Sequence, residues 1–388
     1  MRFEFVTAAR IIFGPGTFRE VGSLAAGLGR SACVITYPDL SQATDLVEQL
    51  RQQGVSTITF HVSGEPKIDT ILAGVTQARE ADCDVVIGLG GGSVIDTGKA
   101  ISALLTNEGD VLDYLEVIGR GRSLTQPARP YIAIPTTAGT GAEVTRNAVL
   151  ASPEHRVKVS LRSPFMLPRL AVVDPELTHS LPPSVTASTG LDALTQVMEP
   201  YVSKVANPLT DSFCREGMAR AARALRRAYE NGNDTAARED MAVVSLLGGL
   251  ALANAKLGTV HGFAGVLGGM FPAPHGLICA RLLPHVMEVN VQALQRRAPD
   301  SPALARYDEV AQLLTGQPTT RAADGVAWVQ ELCRALGVPP LANFGFTQAD
   351  FPAAVAQTQK ASSTKGNPIV LTEEELLGIL EAEKEAIS

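Results

Sequence analysis

The stretch Asp84-Val-Val-Ile-Gly-Leu-Gly-Gly-Gly-Ser-Val-Ile-Asp-Thr-Gly-Lys99 constrains this chain more than any other. It reads as a buried strand, a glycine turn and the start of a helix. A strand that runs directly into a helix meets its next parallel partner only through a crossover. The flanking sequence repeats the unit. Ser31–Thr36 reads as a buried strand, residues 40–53 as a helix ending at Gly54, Thr57–His61 as a strand, residues 68–80 as a helix, and Tyr131–Pro135 as a further strand. Such alternation predicts a mostly parallel sheet covered by helices on both faces.

The proline-spaced stretch from Pro153 to Pro183, which contains the strand Leu170–Asp174, ends the pattern. Beyond it the signals are helical. Asn207-Pro208 supplies an N-cap with proline at the first helical position, and Asn231-Gly232 stops that helix. Thr347 with Asp350, and Thr372 with Glu375, have capping-box spacing. The expected architecture is an α/β N-terminal domain over residues 1–182 and an all-α C-terminal domain over 183–388, with the cleft between them as the default site.

Composition narrows the function classes. A net charge of −7 and a pI near 5.5 argue against a nucleic-acid or anionic-membrane surface. Charges interrupt the first ten residues, so no signal peptide is read there. Met241 to Ala255 is too short to span a bilayer and reads as a buried helix. Five scattered cysteines without a CxxC pair fit free thiols in a reducing compartment. The expectation is a cytoplasmic globular protein.

Gly90, Gly91 and Gly92 allow a diphosphate to approach the backbone, and the amides of the next helix turn point at its oxygens. The spelling is neither GxGxxG nor the P-loop. Ser93 as N-cap with Asp96 three residues on would explain the same residues as plain capping. A second loop, Ile134 to Thr145, packs Thr136, Thr137 and Thr140 with two glycines at a strand's carboxyl end, where open α/β sheets bind ligands. It suits cofactor phosphate, ribose or carboxamide, or it is a polar connection. Two such loops favour a dinucleotide over a lone phosphate.

His261 and His275 stand in small, apolar, glycine-rich surroundings. A lone buried histidine is ordinarily a satisfied core residue. The pair becomes a metal candidate because Asp192 on another helix can meet it, with Gln196 one turn further on the same face.

These motifs together resemble the iron-dependent (group III) alcohol dehydrogenases. Gly90–Asp96 is similar to their GGGSxxD loop, and Pro135–Glu143 to their PTTxGTGSE loop. Asp174–Thr178 with Leu181–Pro183 matches DPxLT…LPP, and Thr189–Leu194 matches TGxDAL. Pro274–Leu277 and Leu283–Met287 match the second histidine block. The resemblance implies a dehydroquinate synthase-like dinucleotide domain, a helical metal domain, NAD(P), and a divalent ion, Fe2+ or Zn2+. It implies metal ligands at Asp192, position 196, His261 and His275, the last two fourteen residues apart as in the family. It also implies cofactor contacts from Gly90, Gly91, Gly92, Ser93, Asp96, Thr136, Thr137, Thr140, Lys158 and Leu177.

Two positions depart from the family. Position 196 is Gln, a poor ligand for zinc or ferrous iron, and Gly265 stands where many members carry a proton-relay histidine. Three ligands still match a catalytic site with an open position. The implied reaction is reversible hydride transfer between nicotinamide and a small carbonyl substrate, with Asp192, His261, His275 and Lys158 in catalytic roles. Asp39, two residues after Tyr37, is the acid nearest the position that holds a ribose 2′-OH, which points to NAD, while NADP would fit a missing acid. Alternatives are a metal-independent maleylacetate-reductase-like enzyme, a dehydroquinate synthase-like lyase, and a non-catalytic nucleotide-binding protein. A homodimer or larger assembly is expected from the resemblance.

Overall fold

A computed structural model describes residues 2–155 and 157–385. The chain folds into two compact units. One holds Val6–Thr137 and Gly141–Thr178; the other holds Ala138–Thr140, the described residues from His179 onward, and those up to Phe5.

The first unit contains strands β1 (Ile11–Phe13), β2 (Ser31–Thr36), β3 (Ser56–His61), β4 (Val85–Gly90), β5 (Tyr131–Pro135), β6 (Asn147–Ser152), β7 (Val157–Arg162) and β8 (Leu170–Val173). Its helices are α1 (Val21–Ala26), α2 (Gln42–Gln52), α3 (Ile68–Glu80), α4 (Gly92–Leu104) and the short α5 (Val111–Tyr114). Six strands form one parallel sheet in the order β1-β8-β5-β4-β2-β3. β4, β5 and β8 are buried along their whole length, which is why they appear as unbroken apolar runs. β3 lies on one side of β2 and β4 on the other, so the order reverses between β2 and β4. Loops at that reversal form a natural ligand crevice. Thr36 pairs with Leu89, and Gly90 with Pro135, so the carboxyl ends of β2, β4 and β5 lie level.

Close packing explains two glycines here. A Cβ at Gly88 would lie 2.2 Å from Tyr131 Oη, and one at Gly98 would lie 2.5 Å from the same ring. Tyr131 thus threads between β4 and α4, its hydroxyl donating to Ile95 O at 3.0 Å. The sequence reading did not anticipate β1 or the antiparallel β6–β7 hairpin, whose alternating burial lacks a continuous apolar run.

The second unit is helical: α6 (Pro183–Val202), α7 (Pro208–Glu230), α8 (Thr235–Ala255), α9 (Thr259–Met270), α10 (His275–Arg297), α11 (Pro302–Thr315), α12 (Ala322–Ala335), α13 (Phe351–Thr358) and α14 (Glu373–Glu385). Asn207 caps α7 in a capping box with Thr210. The Thr347–Asp350 and Thr372–Glu375 pairs form the reciprocal contacts expected of them. Helix α6 lies deep in this unit because small residues face it. A Cβ at Gly217 would lie 2.6 Å from Val197, and one at Gly248 3.1 Å from Gln196. No single helix among the described residues is long and apolar enough to cross a membrane; α8 and α9 meet that test only as a pair bent by 100°.

Candidate active site

Asp192, Gln196 and Glu199 fall on one buried face of α6, at helical spacing. His261 lies in the first turn of α9, and His275 opens α10 with Cys279 one turn further on. Donor atoms of Asp192, His261, His275 and Cys279 all lie within 4.8 Å of one another. His261 Nε2 is 3.2 Å from Asp192 Oδ1, and His275 Nε2 is 3.9 Å from it. Cys279 Sγ lies 3.9 Å from His261 Nε2 and 3.8 Å from His275 Nε2.

Glu199 organises this cluster. Its Oε2 accepts from His261 Nδ1 at 2.7 Å, and its Oε1 accepts from the Val260 amide, also at 2.7 Å. One carboxylate therefore caps the Val260 amide at the start of α9 and fixes the tautomer of His261. With the proton on Nδ1, Nε2 turns a lone pair toward Asp192. Asp192 Oδ1 is itself buried without an aligned hydrogen-bond donor. Two acceptors facing each other at 3.2 Å repel unless a proton or a cation sits between them.

The groups of this cluster shift one another's pKa in directions that call for the same positive charge. Burial works against ionisation of Asp192. The neighbouring histidines, His261 foremost, and the Gln196 amide outweigh it and hold the carboxyl below its ordinary value. Burial likewise opposes a charged His261. The neighbouring Cys279, Asp192 and Glu199 overcome it, so the imidazole is raised well above its usual value. Burial pushes the Cys279 thiol up to about 12.

A buried carboxylate oxygen without a donor, beside neutral-imidazole lone pairs, fits a divalent ion. Asp192 is 2% exposed and His261 7%, so such an ion would be shielded from solvent except at His275, whose side chain is 33% exposed. Gln196 is held differently. Its Nε2 donates to Gly139 O at 3.3 Å, and its Oε1 is buried without a partner. Asp192 and Gly139 both present acceptors to it, which fixes the amide nitrogen on their side. Around the first turn of α9, Asn367 Oδ1 accepts from the Thr259 amide at 3.2 Å and from Asn290 Nδ2 at 3.2 Å.

At the sheet reversal, α4 begins at Gly92 with Gly91 as its N-cap and no side-chain cap. The capping arrangement expected of Ser93 is therefore corrected: Ser93 lies inside the first turn. Its partner Asp96 turns instead to the Val149 amide (2.9 Å) and Lys99 Nζ (2.8 Å). That leaves the helix's first amides uncapped at the end of β4, as an anion site requires. A Cβ at Gly91 would meet Tyr37 Oη at 3.0 Å and Thr137 at 3.3 Å, so this turn admits only glycine without rearrangement.

Thr136 is buried and its amide donates to Gly90 O at 3.0 Å, tying the two loops together. Thr140 lies with Ala138 and Gly139 in the helical unit. Lys158, on β7, pairs with Glu65 at 2.9 Å and is nearly buried. Asp39 is exposed in the turn after β2. Leu177 is buried in the core beneath the sheet, among Ile134, Leu170 and Val172.

Two residues of the donor cluster escaped the sequence reading. Cys279 follows His275 by one helical turn and Glu199 follows Asp192 by two, signals present but indistinguishable from ordinary core spacing.

A sequence profile described as iron-containing alcohol dehydrogenase matches residues 8–175, and the C-terminal profile of the same family matches residues 186–384. The chain belongs to the iron-containing alcohol dehydrogenase family. The 1,3-propanediol dehydrogenase of Klebsiella pneumoniae is 36% identical over 97% of each chain. The NAD-dependent methanol dehydrogenase of Bacillus methanolicus is 32% identical over 97% of this chain and 98% of its own. A solved 1,3-propanediol oxidoreductase superposes with a TM-score of 0.91 at 34% identity, covering 99% of this chain and 100% of that one. This member of the iron-containing family is thus an alcohol dehydrogenase, an oxidoreductase acting between alcohols and aldehydes with NAD(H) and a divalent metal. The non-catalytic and lyase alternatives give way to that assignment.

Proposed function

We propose that this alcohol dehydrogenase reversibly transfers hydride between NAD and a short-chain aldehyde, with ferrous iron or zinc held by Asp192, His261 and His275. The observation that carries the reading is the meeting of two buried acceptors, Asp192 Oδ1 and His261 Nε2, at 3.2 Å. An ion bound there supplies Lewis-acid polarisation of the substrate oxygen.

The chain's own residues do the rest. Glu199 orients His261, and Gln196 steadies Asp192 from the adjacent turn without serving as a strong ligand. Gly90, Gly91 and Gly92, with the first amides of α4 including Ser93, hold the cofactor diphosphate. Asp96 serves that loop indirectly, by anchoring α4 to β6. Thr136, Thr137 and Thr140 take the ribose and carboxamide, with Leu177 packing behind the loops and Lys158 oriented by Glu65 toward the ribose. Asp39 accepts the ribose 2′-OH and selects NAD over NADP, a reading supported by the NAD-dependent relative.

Residues 1–182 serve the nucleotide, and 183–388 serve the metal and substrate. A small alcohol or diol is supported by relatives named for 1,3-propanediol and methanol. It is also supported by open space at Gly265, one turn after His261, where an added Cβ would meet nothing within 4 Å. Family membership supports a cytoplasmic homodimer or larger assembly.

Oxidation of 1,3-propanediol, followed by NADH formation, tests the reading. Asp192→Ala is expected to lower kcat/KM by on the order of 10³-fold, with NAD preferred over NADP by about tenfold or more. Full activity in the variant, or after exhaustive chelation, would overturn the metal-assisted reaction. Equal use of both nucleotides would overturn the role of Asp39.

A further inference from the structure

We propose that Cys279 is itself a metal ligand, its thiolate completing an Asp192–His261–His275–Cys279 donor set that favours zinc over ferrous iron. The inference rests on the ion site proposed above and adds a fourth donor that the sequence did not suggest.

Geometry leads to it. Bonds of about 2.0–2.1 Å to nitrogen and oxygen and about 2.3 Å to sulfur place tetrahedral donors roughly 3.3 Å (N···O) and roughly 3.6 Å (N···S) apart. The observed separations are 3.2 and 3.9 Å for N···O, and 3.8 and 3.9 Å for N···S. Four donor atoms from three helices therefore already lie near the corners of one coordination shell.

The thiol has no better use where it stands. Cys279 is fully buried, and its sulfur faces the Nε2 atoms of both histidines. One thiol hydrogen cannot serve both contacts, and a cation would bring all four donor atoms together at once. The spacing also has a cause: His275 and Cys279 are one turn apart on α10, so both side chains point from the same face. Gln196 turns its amide nitrogen toward Gly139 O and Asp192, so the oxygen that could ligate faces away from them.

Binding an ion expels the thiol proton to solvent and forms the metal–sulfur bond. A thiolate is a soft donor, and an O, N, N, S set suits zinc better than ferrous iron. Four protein donors leave a substrate oxygen to enter as a fifth, which zinc accommodates.

Reconstitution of the full-length, metal-depleted protein with cobalt(II) separates this inference from the one beneath it. The expected result is one cobalt per chain, visible d–d bands, and a near-ultraviolet sulfur-to-cobalt charge-transfer band. Cys279→Ser is expected to retain the d–d bands, lose the charge-transfer band, and bind zinc about tenfold or more weakly. X-ray absorption at the zinc edge of the unaltered protein needs no variant: one sulfur at about 2.3 Å supports the assignment. Bound metal with only nitrogen and oxygen neighbours and no charge-transfer band would overturn ligation by Cys279 and leave the three-ligand site standing. Failure to take up cobalt or zinc at all would overturn both.

Discussion

Glu199 shows how much one side chain settles at this site. It accepts from the Val260 amide and from His261 Nδ1, so a single buried carboxylate caps a helix and fixes a ring tautomer. Nothing in the sequence marks it, because a Glu seven residues after Asp192 is compatible with any buried helix face. Cys279 was hidden for a similar reason: it counted as one of five free thiols until α10 folded beside α6 and α9. Asp192, His261 and His275 were legible, since their residue types and spacing carry metal chemistry wherever the helices place them.

His285 offers a residue-scale test of a different kind. Burial, reinforced by the charge of Arg281, lowers its pKa to about 4. An unfolded histidine titrates near 6.5. Its stabilising contribution is therefore complete above about pH 6.5 and is lost as pH falls through about 4, on the order of 3 kcal/mol in all. Chemical denaturation at pH 7 and pH 4.5 should show the unaltered chain losing more stability than His285→Gln. Parallel losses would mean that this histidine is not kept neutral by the fold.

At the scale of the element, the parallel strands were easy to find and the caps were not. Ser31–Thr36 and Tyr131–Pro135 are fully or almost fully buried, so hydrophobicity alone marks them. Hairpin β6–β7 alternates buried and half-buried residues beside Pro153, and that mixed pattern reads as loop. Helix α4 starts one residue before Ser93, after Gly91, where a side chain would crowd the tips of Tyr37 and Thr137. Two breaks in helical bonding also have local answers. Pro284 cannot donate to Ala280 O, and the Cys333 thiol approaches that carbonyl at 3.2 Å instead. Lys256 takes φ 58° and ψ 167° between α8 and α9, a conformation ordinarily reserved for glycine.

Two glycines near the site should respond in opposite directions. A Cβ at Gly276 would lie 2.2 Å from Ser188 O, a backbone atom that cannot swing aside. Gly276→Ala should therefore cost about 1–3 kcal/mol and loosen His275, which precedes it. At Gly265 a Cβ meets nothing, so Gly265→Ala should stabilise α9 by about 0.5–1 kcal/mol. Denaturation midpoints of the two variants decide this, and equal shifts would contradict the packing described for α10 on α6.

On the scale of the whole molecule, each unit gathers its own cluster of polar and small residues. The sheet reversal at β2 and β4 gathers the glycine turn, Tyr37 and the threonine loop by topology alone, which is why the nucleotide fold was readable from strand–helix alternation. The helical unit gathers Asp192, His261, His275 and Cys279 from three helices far apart in sequence. Only packing brings those together, so periodicity predicted the helices but not the full donor set. The central claim is that these side chains hold one divalent ion. Anomalous diffraction from crystals of the protein grown with zinc or ferrous salt, recorded at the metal's absorption edge, tests it most directly. A single strong peak within bonding distance of Asp192, His261 and His275 is the expected result. A peak elsewhere, or none at a concentration that supports turnover, would contradict it.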